Sequence, residues 1–228
     1  MGPVLALALR GPSSAAPAPA AGIDAIAGAG LVGDRHADPL SPRQVLLASA
    51  SAYADFQLPP HALGENLLVD LDTAALTSGT VLQVGETVLL RLMFQCEACG
   101  YLDAHKAGVS GRIGRRRGIL ARVLAGGAIH SGDRIRDQGR MLPAWDDDWR
   151  ARVARVLRTV PDGMVVTYAQ LALLAGVQPT YCRAFPRLVA GLGPHYAGKA
   201  LSAQAVAGRP CWDGQGLFGD AAYTAGSS

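Results

Sequence analysis

The stretch 80–92, TVLQVGETVLLRL, holds two Val- and Leu-rich runs around Gly85–Glu86. Two such runs closed by a tight Gly-containing turn predict an antiparallel hairpin. A lone hairpin is marginal in water, so it must join further strands. The first 139 residues supply them. Val4–Ala8, Gln44–Ala48, Asn66–Val69, Thr80–Val84, Thr87–Phe94 and Leu120–Leu124 are short, apolar and bounded by turn residues. A related cadence, GGAIHSGDRI at 126–135, predicts another turn at Gly132–Asp133. Many strands with few helices predict a barrel or folded-over sheet.

The pattern changes near Asp137, where DQGRMLPAWDDD reads as a linker. Trp149, Val153, Val156, Leu157 and Val160 then recur at helical spacing, with Arg150, Arg152, Arg155 and Arg158 between them. Asp146, Asp147 and Asp148 lie where a helix N-terminus favours negative charge. Thr167 can cap a second helix, Tyr168–Ala175, that Gly176 ends. Pro179 opens a third helix, running through Arg183 towards Leu188. Two short helices around a Gly-containing turn, beside a basic helix, fit a helix-turn-helix. The expected class is α+β: a mostly-β, barrel-like domain over 1–139, a linker over 140–148, and a small helical winged-helix or helix-turn-helix domain over 149–196. The Gly- and Ala-rich segment 197–228 is a tail or the end of that domain.

Charge and cysteine usage narrow the function classes. Lys and Arg balance Asp and Glu at 12 each over 1–139, so the excess of +3 falls on 140–228. A modest basic excess there suits an anionic partner or a solvated face. Four cysteines in 228 residues do not make a disulfide framework. No apolar run reaches the ~18 residues that span a bilayer. The N-terminal MGPVLALALR stops being apolar at Arg10 and lacks a basic start, so it reads as a buried strand rather than a signal peptide. A cytoplasmic protein with reduced thiols and no membrane contact is the expectation.

Cys96 and Cys99 in FQCEACGY follow the hairpin's second strand. Four uses compete: a metal clip, a redox pair, one reactive thiol, or packing. Zinc needs a second ligand pair, and Cys182 and Cys211 do not form one. A thioredoxin-like pair opens a helix, whereas this pair follows a strand. A reactive thiol and inert packing both stay open.

Seven motifs in the first 139 residues come in a familiar order: GLVGDRHADP (30–39), RQVLL (43–47), LGENLLV (63–69), GTVLQVGE (79–86), CEAC (96–99), GRRRGILARVLAGG (114–127) and IHSGDRI (129–135). The segment resembles the MOSC domain, named for the C-terminal domain of molybdenum cofactor sulfurases. The resemblance implies a mostly-β, barrel-like fold and one functional cysteine, matched by Cys99 with Cys96 as the alternate. That thiol would carry sulfur as a persulfide or ligate molybdenum in the pterin cofactor. Asp34, His36, Arg43, Glu65, Asn66, Arg115, Arg116 and Arg117 would line the cofactor pocket. Each has a plainer reading too: a turn at Asp34 and His36, a loop cap at Glu65 and Asn66, a solvated face for the arginines. A sulfur donor protein or a molybdoenzyme is the implied partner.

Residues 149–196, beginning WRARVARVLRTVPDGMVVTYAQLALLAG, resemble the DNA-binding domain of the O6-alkylguanine-DNA alkyltransferases and alkyltransferase-like proteins. The resemblance implies that Tyr168 presses on a nucleotide phosphate and that Arg183 fills the stack left by an extruded base. The alternatives are a buried aromatic and a solvated helix residue. The chain departs from that family at Pro186, by one extra residue before Arg183, and in lacking the methyl-accepting P-C-H-R. Ala203 and Gln204 in SAQAV fall nearest its cysteine and histidine, and Cys211 in GRPCWDG has no histidine after it. Methyl transfer is therefore not expected. Two functions are carried forward: a molybdenum-cofactor or sulfur-carrier protein, and a non-catalytic reader of modified DNA bases.

Overall fold

The computed structural model describes residues 1–12 and 16–220. They divide into two compact units, one of Met1–Pro39 and Arg43–Trp145, the other of Leu40–Pro42 and the residues from Asp146 on. The end of the tail, 221–228, lies outside the described residues.

The first unit runs β1 (Val4–Leu9), β2 (Ala18–Ala20), β3 (Gly22–Ile26), β4 (Gly30–Leu31), β5 (Val45–Ser49), α1 (Ala50–Phe56), β6 (Leu67–Val69), β7 (Thr80–Val84), β8 (Val88–Gln95), α2 (Ser110–Ile113), β9 (Ile119–Ala125), β10 (Gly127–His130) and β11 (Ile135–Arg140). Eight strands form one curled, half-barrel sheet in the order β11-β7-β8-β9-β5-β6-β1-β2, and β10-β3-β4 form a second, three-stranded sheet. The β7–β8 hairpin pairs as its pattern predicts, Val84 against Val88 and Leu82 against Leu90. The other cadence does not close a hairpin: β10 pairs with β3 and β11 with β7. The turn at Gly132–Asp133 hands the chain from one sheet to the other. The short strands β2, β3 and β4, poor in the β-branched runs that mark a strand, were not legible as such.

Strand β5 is buried at every position. Val45 and Leu47 face a core shared with Ile23, Leu31, Leu90, Val123 and Ile129, while Ala48 points to a second cluster with Ala52, Leu63, Leu102, Val109 and Ile113. With both faces covered, the strand reads as an unbroken apolar run rather than an alternation. Its parallel partner β6 requires a crossover, which α1 and the loop after it provide. Ser49 caps α1 by accepting from Ser51 N–H, and Gln57 ends the helix at a φ of 49°. This β5–α1–β6 crossover delivers Glu65 and Asn66 to the sheet.

The second unit contains α3 (Trp149–Thr159), β12 (Val166–Thr167), α4 (Tyr168–Ala175), α5 (Phe185–Gly191), α6 (Pro194–Ala197) and β13 (Ala200–Leu201). Asp148 caps α3, and Thr167 caps α4 by accepting from Gln170 N–H. Of the arginines that fall between the apolar positions of α3, Arg152 is fully buried. Its Nε donates to the Ala175 carbonyl at 2.9 Å and its Nη1 to those of Asp146 and Asp147 at 3.0 and 2.8 Å. It thereby satisfies a carbonyl left open at the end of α4. The third helix is not continuous: a 3-10 turn over Pro179–Ala184 precedes α5. Pro186 explains the break, since it cannot donate to the Cys182 carbonyl one helical turn back. In the first turn of α5 its missing N–H costs nothing. The tail folds back: β13 pairs in parallel with β12, and Gln170 Nε2 donates to the Trp212 carbonyl at 2.6 Å. Among the described residues no helix is long and apolar enough to cross a membrane.

Candidate functional site

Asp34 is the hub of the first unit's polar interior. It follows the short strand β4, and its side chain is fully buried. Arg10, one residue past β1, donates to it from the backbone N–H at 2.9 Å and from Nε and Nη2 at 3.0 and 3.1 Å. Asn66 Nδ2 donates at 2.7 Å and the His36 N–H at 2.8 Å. Asn66 also accepts from Arg10 Nη2 at 2.6 Å and from Leu46 N–H at 3.0 Å, and donates to the Ala8 carbonyl at 3.1 Å. One amide thus ties three strands to the ion pair. Burial by itself would raise the Asp34 carboxyl; the His36 hydrogen bond and the charge and hydrogen bonds of Arg10 outweigh it and hold the carboxyl well below the usual carboxylate range. Burial also lowers the His36 ring, against the opposing pull of its hydrogen bond to Asp34.

Next to this network lies one of the two cysteines. Cys96, immediately after β8, is buried, and its N–H donates to the Gly118 carbonyl at 2.8 Å. Arg43 Nη2 sits 3.8 Å from its sulfur. Cys99, three residues on, is half-buried and begins a 3-10 turn over Gly100–Ala104. The chain therefore presents a buried thiol against the Arg43 guanidinium and, three residues on, a more accessible thiol. A guanidinium at a sulfur is a partner for negative charge, whether the sulfur or a bound group carries it.

Glu65 belongs to a different cluster from its neighbour Asn66. It accepts from Tyr53 Oη at 2.5 Å, and Tyr53 in turn accepts from Leu63 N–H at 3.1 Å. Burial, then the charge and hydrogen bond of Glu65, push the Tyr53 hydroxyl up. His61 Nδ1 approaches Glu65 Oε1 to 3.4 Å, near enough to pair when the ring is protonated but not aligned as a hydrogen bond. Glu65 and Asn66 lie just before β6, and as neighbours in the chain they send their side chains to different clusters.

The three consecutive arginines do not converge. Arg115 Nε donates to the Ala74 carbonyl at 3.0 Å. Arg116 pairs with Asp55 at 2.7 Å and lies over the Phe56 ring at 5.6 Å. Arg117 is buried and donates to the Leu63 carbonyl. A 3-10 turn over Gly114–Arg117 splays their side chains by about a third of a turn each. They staple loops to the sheet rather than forming one anion clamp. Gly118, next in the chain, has a φ of 110°, and a Cβ there would lie 2.3 Å from the Leu47 carbonyl oxygen. Only glycine allows β9 to start this close to β5 while accepting from Cys96.

In the second unit Tyr168 is half-buried at the start of α4, its ring 6.3 Å from that of Phe185. Arg183 is exposed at the end of the 3-10 turn. It lines a cleft of about 750 Å³ with Trp149, Arg150, Ala184, Arg187, Leu188, Gly191 and Leu192. Cys211 is exposed, and burial pushes the Cys182 thiol up.

Sequence reasoning passed over Arg10, Gln44 and Tyr53. The signal for Arg10 was present, since a charge ends an otherwise apolar first strand. Gln44 is fully buried, donates to the Gly28 and Asp38 carbonyls at 2.6 and 3.0 Å, and accepts from Val123 N–H at 2.9 Å. It fastens the loop carrying Asp34 and His36 to the sheet. Nothing local in the sequence marks that role.

Comparisons with known proteins bear on the first unit. Residues 34–136 match the model of the MOSC domain. Among solved structures, the YuaD protein of Bacillus subtilis superposes with a TM-score of 0.52 at 19% identity, covering 59% of this chain and 93% of that one. YiiM from Geobacillus stearothermophilus gives 0.51 at 14% identity, covering 82% and 99%. A hypothetical protein of known structure gives 0.51 at 19% identity, covering 87% and 96%. No curated protein matches in sequence. At these identities the structural likeness speaks for the fold. The family is associated with molybdenum cofactor binding or sulfuration, and the stretch matched contains Asp34, Arg43, Asn66, Cys96 and Cys99. The chain carries a MOSC domain over residues 34–136.

Proposed function

We propose that the first unit handles sulfur or the molybdenum cofactor through a cysteine, with Cys99 as the thiol that a donor or cofactor reaches. The observation that carries this is the pairing of a buried sulfur, Cys96, with Arg43 at 3.8 Å, three residues from the half-buried Cys99. A cationic side chain beside a thiol assists persulfide transfer, because both the thiolate that attacks the donor's outer sulfur and the donor thiolate that leaves are anionic. The residues also fit a cofactor that brings its own ligands. Among the described residues no three His, Cys, Asp or Glu groups gather to hold a bare metal ion. One soft thiolate with a guanidinium nearby suits a molybdenum already held by a pterin, whose phosphate Arg43 would meet. When bound, that group supplies redox or sulfuration chemistry. The protein's own part is to place the thiol and the charges, with His36 at the exposed side of the Asp34 network. A sulfur donor protein or a molybdoenzyme is the partner in this reading.

The test is mass spectrometry and elemental analysis of protein purified without reductant, then of protein treated with a persulfide donor. Addition of one sulfur to Cys99, lost in Cys99→Ser and kept in Cys96→Ser, supports the carrier reading. Sulfur appearing only on Cys96 transfers the role to that residue. No adduct on either thiol, with no molybdenum or pterin bound, overturns the reading.

A second reading has its own observation: Arg183 is exposed, with Arg187 and Arg150 around the same cleft. The second unit then binds DNA without accepting a methyl group, Tyr168 contacting phosphate and Arg183 filling the place of an extruded base. Titration of wild type and Arg183→Ala against matched and O6-alkylguanine duplexes at low salt tests it. Preference for the modified duplex that vanishes in the variant supports it, and equal affinity of the wild type for both duplexes defeats it.

A further inference from the structure

The cleft beside α5 is lined by three arginines, Arg150, Arg183 and Arg187, and by the apolar surfaces of Trp149, Leu188 and Leu192. Among the described residues no carboxylate pairs with Arg183 or Arg187. Arg150 has only a loose contact to Asp148, 3.9 Å apart and with both side chains more than half exposed. Such an exposed pair contributes little. Three guanidinium groups of like charge around one space repel each other unless an anion enters, and they exceed what a single carboxylate neutralises. A phosphate, with about two negative charges and three acceptor oxygens, matches that set.

The rest of the wall selects what carries the phosphate. The Arg150 guanidinium lies 4.4 Å above the Trp149 ring. Tyr181 and Phe185 also pack against that ring, with centroids at 5.2 and 6.2 Å. The result is a guanidinium stacked on a packed aromatic ring, in a wall that also contains Leu188 and Leu192. Planar heterocycles stack on such groups without regard to their identity. The volume of about 750 Å³ falls within the range of pockets that enclose small organic ligands.

We infer that this cleft binds a nucleotide, its phosphate held by Arg183 and Arg187 and its base laid against the Trp149–Arg150 stack. The site goes beyond the DNA reading, since it needs no base extrusion and no duplex. The nucleotide can be free or part of a single strand, and the chemistry is the same.

Tryptophan quenching, with Trp149→Phe to assign the signal, and calorimetry test the inference on the full chain. The titrants are a purine mononucleotide, a single-stranded oligonucleotide and inorganic phosphate. The double variant Arg183→Gln/Arg187→Gln, at two exposed positions, is expected to weaken the mononucleotide at least tenfold, whereas Arg158→Ala, outside the cleft, leaves it unchanged. With the strand, the double variant should reduce the slope of log affinity on log salt by roughly 1.4, about 0.7 per lost contact. A strand bound much more tightly than the mononucleotide identifies nucleic acid as the source, and the reverse identifies the free nucleotide. Absence of saturable binding, unchanged affinity in the double variant, or equal affinity for inorganic phosphate each overturns the proposal. Equal affinity of the wild type for matched and modified duplexes, with nucleotide binding intact, would defeat only the base-extrusion reading.

Discussion

Replacing Asp34 by Ala should destabilise the first unit by about 3–5 kcal/mol, the usual cost of removing one partner from a buried ion pair. The change deletes the acceptor for three Arg10 donors, for Asn66 Nδ2 and for the His36 N–H. Arg10, only 7% exposed, keeps neutral acceptors in Asn66 and the Gln44 carbonyl but loses its carboxylate partner. Trp145 is buried in this unit and reports on it alone once Trp149 and Trp212 are changed to Phe. With a urea m-value of about 2 kcal/mol/M, the midpoint should fall by roughly 1.5–2.5 M. The pH dependence gives a second reading of the same pair. The folded Asp34 carboxyl titrates below its unfolded value, so its contribution is full above about pH 4 and is lost as pH falls towards the folded value. Asp34→Ala should flatten that acid limb. Combining it with Arg10→Met should recover much of the loss, because the stranded charge is then gone. A midpoint shift below about 0.5 M, or no recovery in the double variant, would refute the assignment of Asp34 as the anchor of a buried cation.

Gly118→Ala should cost more than about 2 kcal/mol, since a methyl at a φ of 110° meets the Leu47 carbonyl; amide exchange at Cys96, whose N–H bonds Gly118, should accelerate with it. Protected exchange there would count against the close approach. Arg152→Met should lower the melting temperature of the second unit by several degrees by leaving the Ala175, Asp146 and Asp147 carbonyls without their donor, while Arg158→Ala, exposed on the same helix, should leave it within error. Alkylation of the native protein near neutral pH should reach the exposed Cys211 and half-buried Cys99 well before Cys96; rapid loss of Cys96 would contradict its burial.

The sequence by itself determined most of what depends on neighbours along the chain. The β7–β8 hairpin, the boundaries of α4 from Thr167 to Gly176, and the start of α3 at the aspartates follow from turn chemistry, capping and periodicity within a dozen residues. The motifs also carried the MOSC domain. What only the tertiary structure decided is which distant groups meet. Arg10 reaches Asp34 across 24 residues and Asn66 across 56. Gln44 meets Val123 across 79. No local signal encodes such contacts, because they are set by strand order, and strand order follows from how two sheets share one core. The same cause divided the candidate residues. Just before β6, Asn66 went to the ion pair and its neighbour Glu65 to Tyr53, and the 3-10 turn at 114–117 dispersed three arginines that look like a single cluster on the page. Burial then decided their chemistry: a charge in the interior must be paired, so Arg10, Arg117 and Arg152 became structural ties, while Arg183 and Arg187, left at the surface, stayed open to a ligand.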